Sequence, residues 1–254
     1  EELENPEKNL ATEVISSDGV TLGKYAFKNR TPVGFKDLPD NLVHALIATE
    51  DERFYEHSGI DFRGLARAIV KLGKGGGAST ITQQLAKNLF NKGGSSSTLK
   101  RLTQKVKEYI VATKLERQYT KNEIIAMYLN TQGFLFNAIG IRSASRIYFG
   151  KEPKDLDVQE SAILVAMLKN PRQFNPNREI SKKKSLTRRN VVFAQMAKNE
   201  FISKEEKDSL QNLPLKINFT PESHNDGLAT YFREYLRGYL KKWVKNNPKP
   251  NGES

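Results

Sequence analysis

From about residue 38 onwards, apolar residues recur at the 3.6-residue spacing of an α-helix, and helix-start signals punctuate the pattern. No other feature narrows the fold as much. Pro39-Asp40 opens a helix whose apolar positions include Leu42, Val43, Leu46 and Ile47. Asp61 caps a second over 62–72, and Ser79 or Thr80 caps a third that runs to about Asn91. A long helix follows at roughly 98–118. Thr120 with Glu123 forms a capping box for 121–130, Asp157 with Glu160 does the same for 158–169, and Ser203 with Glu206 repeats the device. Glycine-rich loops, Gly73 to Gly77 and Gly93 to Ser97, separate these helices. Only residues 12–28 read as β, a hairpin in which Val14-Ile15 and Val20-Thr21-Leu22 flank the turn Ser16 to Gly19. The expectation is a mainly α fold with a small N-terminal β-hairpin. A late aromatic stripe (Leu228, Tyr231, Phe232, Tyr235, Tyr239, Trp243) is expected to pack in the core, and Asn246 to Ser254 reads as a linker.

Composition bounds the partners. The 254 residues suffice for one sizeable core. Hydrophobic residues make up 37% and the mean hydropathy is −0.60, so the chain is a charge-rich globular domain. No run reaches the roughly twenty apolar residues of a membrane span, and no signal peptide is present. The chain opens at Glu1 without an initiator Met, so an upstream segment is expected. Lys and Arg number 41 against 29 Asp and Glu, a net charge of +12. That excess suits a nucleic acid, an anionic leaflet or a phosphorylated substrate, and equally a solvated surface. The absence of cysteine excludes disulfides, thiolate metal sites and a Cys nucleophile. The three histidines, His44, His57 and His224, are too scattered for a His-rich metal site.

Three segments concentrate chemistry. Glu50-Asp51-Glu52-Arg53-Phe54-Tyr55-Glu56-His57 places acids beside aromatic rings after an apolar helix. Such an acid can serve as a general base, although an ordinary acidic helix end has the same composition. In Gly77 to Asn88, Thr80, Gln83, Gln84 and Lys87 fall on one arc of a helix and Ile81, Leu85 and Leu89 on another. The polar arc is expected to face a ligand or solvent, and the glycine-rich lead-in favours an anion at the helix N-terminus. In the third segment Arg101, Lys105 and Glu108 share a face, with Leu99, Leu102, Val106 and Ile110 on the other.

Together and in order, these segments resemble glycosyltransferase family 51, the peptidoglycan glycosyltransferases. Glu50 to His57 resembles the family's ED-x-x-F-x-x-H-x-G signature, and Gly77 to Asn88 resembles G-x-S-T-I-T-Q-Q-L-x-K-N. Lys105-Val106-Lys107-Glu108 is similar to R-K-x-x-E, and Lys121 to Asn130 to K-x-x-I-x-x-x-Y-L-N. Tyr148 to Lys151 and Asn170 to Pro176 continue the likeness, which spans roughly 12–245. The stretches Ala11 to Gly19 and Tyr231 to Arg237 resemble the lead-in and connector of bifunctional class A penicillin-binding proteins.

The resemblance implies a lysozyme-like glycosyltransferase fold with head and jaw lobes. It implies three parts: a lead-in over 1–36, the glycosyltransferase domain over 37–225, and a connector over 226–254 toward a transpeptidase domain. The implied reaction polymerises lipid II into β-1,4-linked glycan with inversion at C1 of the donor N-acetylmuramic acid and release of undecaprenyl diphosphate. Catalysis would fall to Glu50 as base and Glu108 as second carboxylate. Glu108 would orient nearby cations or hold a divalent metal such as magnesium; no cofactor is obligatory. Lys87, Lys105 and Lys100 or Arg101 would meet the diphosphate. Asp51, Phe54, His57, Arg67, Ser79, Thr80, Gln83, Gln84 and Asn88 would shape the sugar and phosphate sites.

Residues 60–72, mixing Ile60, Phe62, Leu65, Ile69 and Val70 with Arg63, Arg67 and Lys71, would touch the membrane surface. The expected location is the extracytoplasmic, periplasmic face of the inner membrane, with an N-terminal transmembrane anchor outside this chain. Nucleic acid is not an expected partner. The chain departs from the family at Gln104, where Arg is frequent, and at Leu135, where Gly is usual. Two rival readings are a lysozyme-like glycoside hydrolase, which needs an acid for an alcohol leaving group, and a non-catalytic basic membrane-binding module.

Overall fold

The computed structural model describes residues 12–19, 21–25, 32–70, 79–90, 98–136, 138–220 and 230–247. The chain divides into two units, Arg30–Thr220 and a second made of Glu1–Asn29 with Pro221–Ser254. In the second unit, β1 (Thr12–Ile15) pairs antiparallel with β2 (Thr21–Tyr25), Thr12 opposite Tyr25. The turn between them closes with Gly19 N–H donating to Ser16 O at 3.0 Å.

The larger unit is helical. Its elements are α1 (Asp40–Glu50), α2 (Phe62–Val70), α3 (Ile81–Phe90), α4 (Thr98–Gln118), α5 (Lys121–Thr131), α6 (Ile141–Phe149), α7 (Val158–Leu168), α8 (Glu179–Lys198) and α9 (Lys204–Asn212). The last helix of the chain, α10 (Thr230–Asn246), belongs to the other unit. Among the described residues, no helix is long and apolar enough to cross a membrane.

α7 is the centre of the head. Every residue from Ser161 to Met167 is buried, so it is enclosed on all sides, with α1, α6 and α8 packed around it. α1 buries Leu42, Val43, Ala45, Leu46, Ile47 and Ala48 against α7 and α8. Capping chemistry sets the boundaries. Both partners of the box are made at Thr120/Glu123 and at Asp157/Glu160, and Ser203 caps α9 through its hydroxyl. Asp61 caps α2, accepting from Gly64 N–H at 2.9 Å. Asn130, in α5, clasps Val33, accepting from its N–H at 3.0 Å and donating to its carbonyl at 2.9 Å. Arg189 is fully buried without a carboxylate among its partners in the described residues. Its guanidinium donates to Gln159 and to the carbonyls of Gln211 and Leu213 that end α9, and it stands over Phe193.

Two expectations about helix faces give way. Val106 and Ile110, set opposite the charged face of α4, are half exposed. The aromatic stripe of α10 is not core: Phe232, Tyr235, Tyr239 and Trp243 are exposed.

Candidate active site

Glu50 is the last residue of α1, and the turn that follows it is held from below. Asp51 is buried and its Oδ2 accepts the backbone N–H of Ile81, the first residue of α3, at 3.0 Å. His57 Nε2 lies 3.0 and 3.1 Å from the two oxygens of the same carboxylate. Gly59 N–H donates to His57 Nδ1 at 3.2 Å, and a backbone N–H can only donate. Nδ1 is therefore unprotonated, and Nε2 carries the hydrogen toward Asp51. The Gly59 carbonyl in turn accepts from Thr80 Oγ1 at 2.7 Å and Gln83 Nε2 at 3.1 Å. Gly59 needs to be glycine: its φ is +91°, and a Cβ would lie 3.0 Å from the Ala112 carbonyl group.

This arrangement corrects the reading of α3 as a helix with one continuous polar face. Thr80 and Gln83 are buried, because α3 packs on both α4 and α5. Thr80 is also the helix cap, its Oγ1 accepting from Gln83 N–H at 3.1 Å. The polar groups left outside are Gln84, half-buried, and Lys87 and Asn88, exposed.

Gln84 points at Glu50. Its Nε2 donates to Glu50 Oε2 at 3.0 Å, and its Oε1 accepts from the hydroxyl of Tyr128 at 3.0 Å. Tyr128 comes from α5 and is 1% exposed. Burial, reinforced by the charge of Glu50, pushes its phenol well above the ordinary tyrosine range. The half-exposed Glu50 carboxylate is thus ionisable, oriented and open to a ligand.

A cationic group stands beside the start of α3. Lys105 Nζ donates to Ser79 Oγ at 3.0 Å and pairs with Glu108 Oε2 at 2.8 Å. Glu108 is buried and Lys105 is half exposed, so the carboxylate anchors the ammonium group. Ser79 precedes α3 by two residues, and Gln84 lies in its first turn. Arg101 is exposed one turn before Lys105; the side chain of Lys100 and the glycine-rich lead-in 73–77 lie outside the described residues. Among the described residues, no three His, Asp or Glu side chains could share a metal ion. Lys105 already occupies an oxygen of Glu108.

Phe54 and Arg67, also expected to shape the sugar and phosphate sites, make contacts of their own. Phe54 is fully buried, with Lys121 Nζ 4.3 Å from its ring centroid. Lys121 also donates to the His57 carbonyl at 2.6 Å and pairs with Glu116 at 2.8 Å, and Glu116 accepts from Thr82 Oγ1. Arg67 pairs with Glu52 at 2.8 Å, and Lys198 reaches the same carboxylate at 2.6 Å. Arg53 links Glu52 to Asp61. The sequence reading passed over Tyr128, Lys121 and Glu116. The first two stand in a segment already matched to the family, yet only contacts across the fold show what they hold.

Comparisons with known proteins show the family to which the chain belongs. A family model described as Transglycosylase matches residues 18–197. The chain is 34% identical to penicillin-binding protein 1A of Pseudomonas aeruginosa over 94% of its length, and 37% identical to that of Escherichia coli over 92%. It spans 29% and 27% of those relatives, respectively. The crystal structure of penicillin-binding protein 1A from Haemophilus influenzae superposes with a TM-score of 0.51 at 24% identity, covering 97% of this chain and 25% of that one. With the family model running through Glu50, Lys105 and Tyr128 alike, this chain belongs to the transglycosylase family.

Proposed function

We propose that this protein is a peptidoglycan glycosyltransferase that polymerises lipid II. The acceptor's N-acetylglucosamine 4-hydroxyl attacks C1 of the donor's N-acetylmuramic acid. Its proton passes to Glu50, the C1–O bond to the diphosphate breaks, and undecaprenyl diphosphate leaves with inversion at C1. The observation that carries this reading is the pairing of one oriented, half-exposed carboxylate with a lysine-serine-glutamate cluster on the same helix start. A sugar hydroxyl is a weak nucleophile, so it needs a base. Diphosphate is a good leaving group, so what it needs is positive charge, which Lys105 supplies with Arg101 one turn before it on α4 and the exposed Lys87 on α3. Glu108 keeps Lys105 in place. A hydrolase on this scaffold would instead need a proton donor for an alcohol leaving group.

The product stays on a polyprenyl chain, so the site works at a membrane surface, on the extracytoplasmic side where glycan is laid down. α2 has the surface for that contact: Phe62 is 71% and Val70 81% exposed, with the exposed Arg63 between them. In the whole protein a transpeptidase domain would follow the connector.

The test is Glu50→Gln with lipid II as substrate. Polymer formation is expected to fall by about 10²–10⁴-fold with the fold intact. Wild-type polymer yield from a folded variant, or release of short fragments from finished peptidoglycan by the unaltered protein, would overturn the reading.

A further inference from the structure

We infer that Tyr128 is a positioning residue for the reaction: through the side-chain amide of Gln84 it fixes which oxygen of Glu50 is engaged and which is left to take the acceptor's proton. The inference rests on Glu50 being the base.

An ionised carboxylate only accepts, an amide has one accepting and one donating end, and a phenol does both. Between Glu50 and Tyr128, Gln84 can make two hydrogen bonds in one orientation. Its Nε2 faces Glu50 Oε2 and its Oε1 faces the phenol, each at 3.0 Å. Turning the amide over would set Oε1 against the carboxylate, acceptor against acceptor. Glu50 alone would favour the observed orientation, but Gln84 is only half-buried and its side chain has rotamers that leave Glu50 altogether. Tyr128 removes those alternatives. Its ring is buried in α5, its hydroxyl has no path to solvent, and swinging Gln84 away would leave that hydroxyl unsatisfied.

The phenol does not titrate in the working range. Burial and the nearby negative charge of Glu50 raise it well above the usual tyrosine range, so it remains a donor throughout.

The consequence for chemistry is specific. Oε2 of Glu50 is committed to Gln84, and Oε1 has no donor among the described residues. Oε1 is therefore the oxygen placed to receive the hydroxyl proton. The other charged groups around the turn are engaged elsewhere. Asp51 is held by His57 and Ile81, Glu52 by Lys198, Arg67 and Arg53, and Glu108 by Lys105.

The experiment is steady-state turnover of lipid II by the full-length protein, measured against pH, for Tyr128→Phe, Gln84→Met and the double variant, with Glu50→Gln alongside. Thermal melts confirm that each is folded. Tyr128→Phe is expected to lower kcat about three- to tenfold with little change in KM. The acid-side fall-off in turnover should move up by about half to one pH unit, the worth of one hydrogen bond. In the Gln84→Met background, adding Tyr128→Phe should cost less than about 1.5-fold, because the path is already cut. A wild-type pH profile for Tyr128→Phe, or the same loss in both backgrounds, would overturn the inference and leave Glu50 as base. Full activity in Glu50→Gln would overturn both.

Discussion

Asp51 caps the helix that begins thirty residues later, its Oδ2 accepting the backbone N–H of Ile81 at 3.0 Å. The residue beside the proposed base therefore fastens the loop after α1 to the element that carries Gln84. His57 completes the clasp from the other side. Both residues are expected from the family resemblance to shape the sugar and phosphate sites, and in the fold they fasten α1 to α3.

Asp51→Ala should accordingly act on stability first. It removes a buried cap and leaves the Ile81 N–H and the His57 Nε2–H without an acceptor, an expected loss of about 2–4 kcal/mol. Asp51→Asn should cost less than half of that. An amide oxygen at the Oδ2 position keeps the Ile81 N–H, 3.0 Å away, so the loss is confined to the His57 side, where the amide nitrogen would sit 3.0 Å from Nε2. Urea unfolding of the two variants checks this. Equal and negligible losses would mean that the clasp contributes nothing.

Glu52 makes a pH prediction. Lys198 foremost, then Arg67, hold its carboxyl down to about 2 from an ordinary 4.5. A carboxyl that is more acidic folded than unfolded stabilises the fold above the unfolded value and loses that contribution as pH falls through the folded one. Glu52→Gln is expected to lower stability by about 1 kcal/mol near neutral pH, a modest figure because solvent screens these pairs. The gap between the two proteins should close between about pH 4.5 and pH 2. A gap unchanged across that window would exclude the pairing as its source.

How much of this was legible in the sequence depends on the range of the cause. Helix α4 falls at the expected 98–118, and α5 starts where the Thr120/Glu123 box puts it, because caps are local chemistry. Family signatures led to Glu50, Gln84 and Lys105 for the same reason. Periodicity on α3 failed where neighbours decided the outcome. It grouped Thr80 and Gln83 with Gln84, but α4 and α5 cover the first two. Tyr128 and Lys121 act on residues 44 and 64 positions away, and no pattern in their own segments announces it.

Leu135, where the family resemblance leads one to expect glycine, lies in the left-handed region with φ of +68°, and Phe136 follows at +50°. The loop is held by Phe134 N–H to Ala138 O at 2.9 Å, by Tyr148 OH to Phe134 O at 2.8 Å, and by Phe136 against Phe219. A left-handed L-residue costs about 1–2 kcal/mol, while glycine adds about 1 kcal/mol of chain entropy to lose on folding. Leu135→Gly should therefore change stability by no more than about 1 kcal/mol. Leu135→Val, branched at Cβ, should destabilise by about 1–2 kcal/mol. Denaturant midpoints distinguish the two. A glycine variant destabilised by well over 2 kcal/mol would show that the leucine side chain is held for packing.

The last prediction concerns where the diphosphate's counter-charge comes from. Gln104 stands where the family often has arginine, which removes a cation from α4. The cation that remains in that segment, Lys105, is expected to carry the counter-charge without it. Lys105 is anchored by the buried Glu108 at 2.8 Å and steadied by Ser79 at 3.0 Å, so its ammonium group stays at the start of α3 instead of roaming in solvent. A leaving diphosphate carries about two negative charges, and one well-placed donor at such a site is worth about 10²–10³-fold in rate. Lys105→Met is expected to lower lipid II turnover by about 10²-fold, with partial recovery at high magnesium, since a divalent cation can screen the same phosphates. Glu108→Gln should fall between Lys105→Met and the unaltered protein, because it loosens Lys105 without removing it. Gln104→Arg should change turnover by less than about threefold, since the position that matters is already filled. The measurement is initial rate for each variant across a magnesium series. A large gain from Gln104→Arg, together with near-normal rates for Lys105→Met, would show that the charge was lost at position 104 and never replaced.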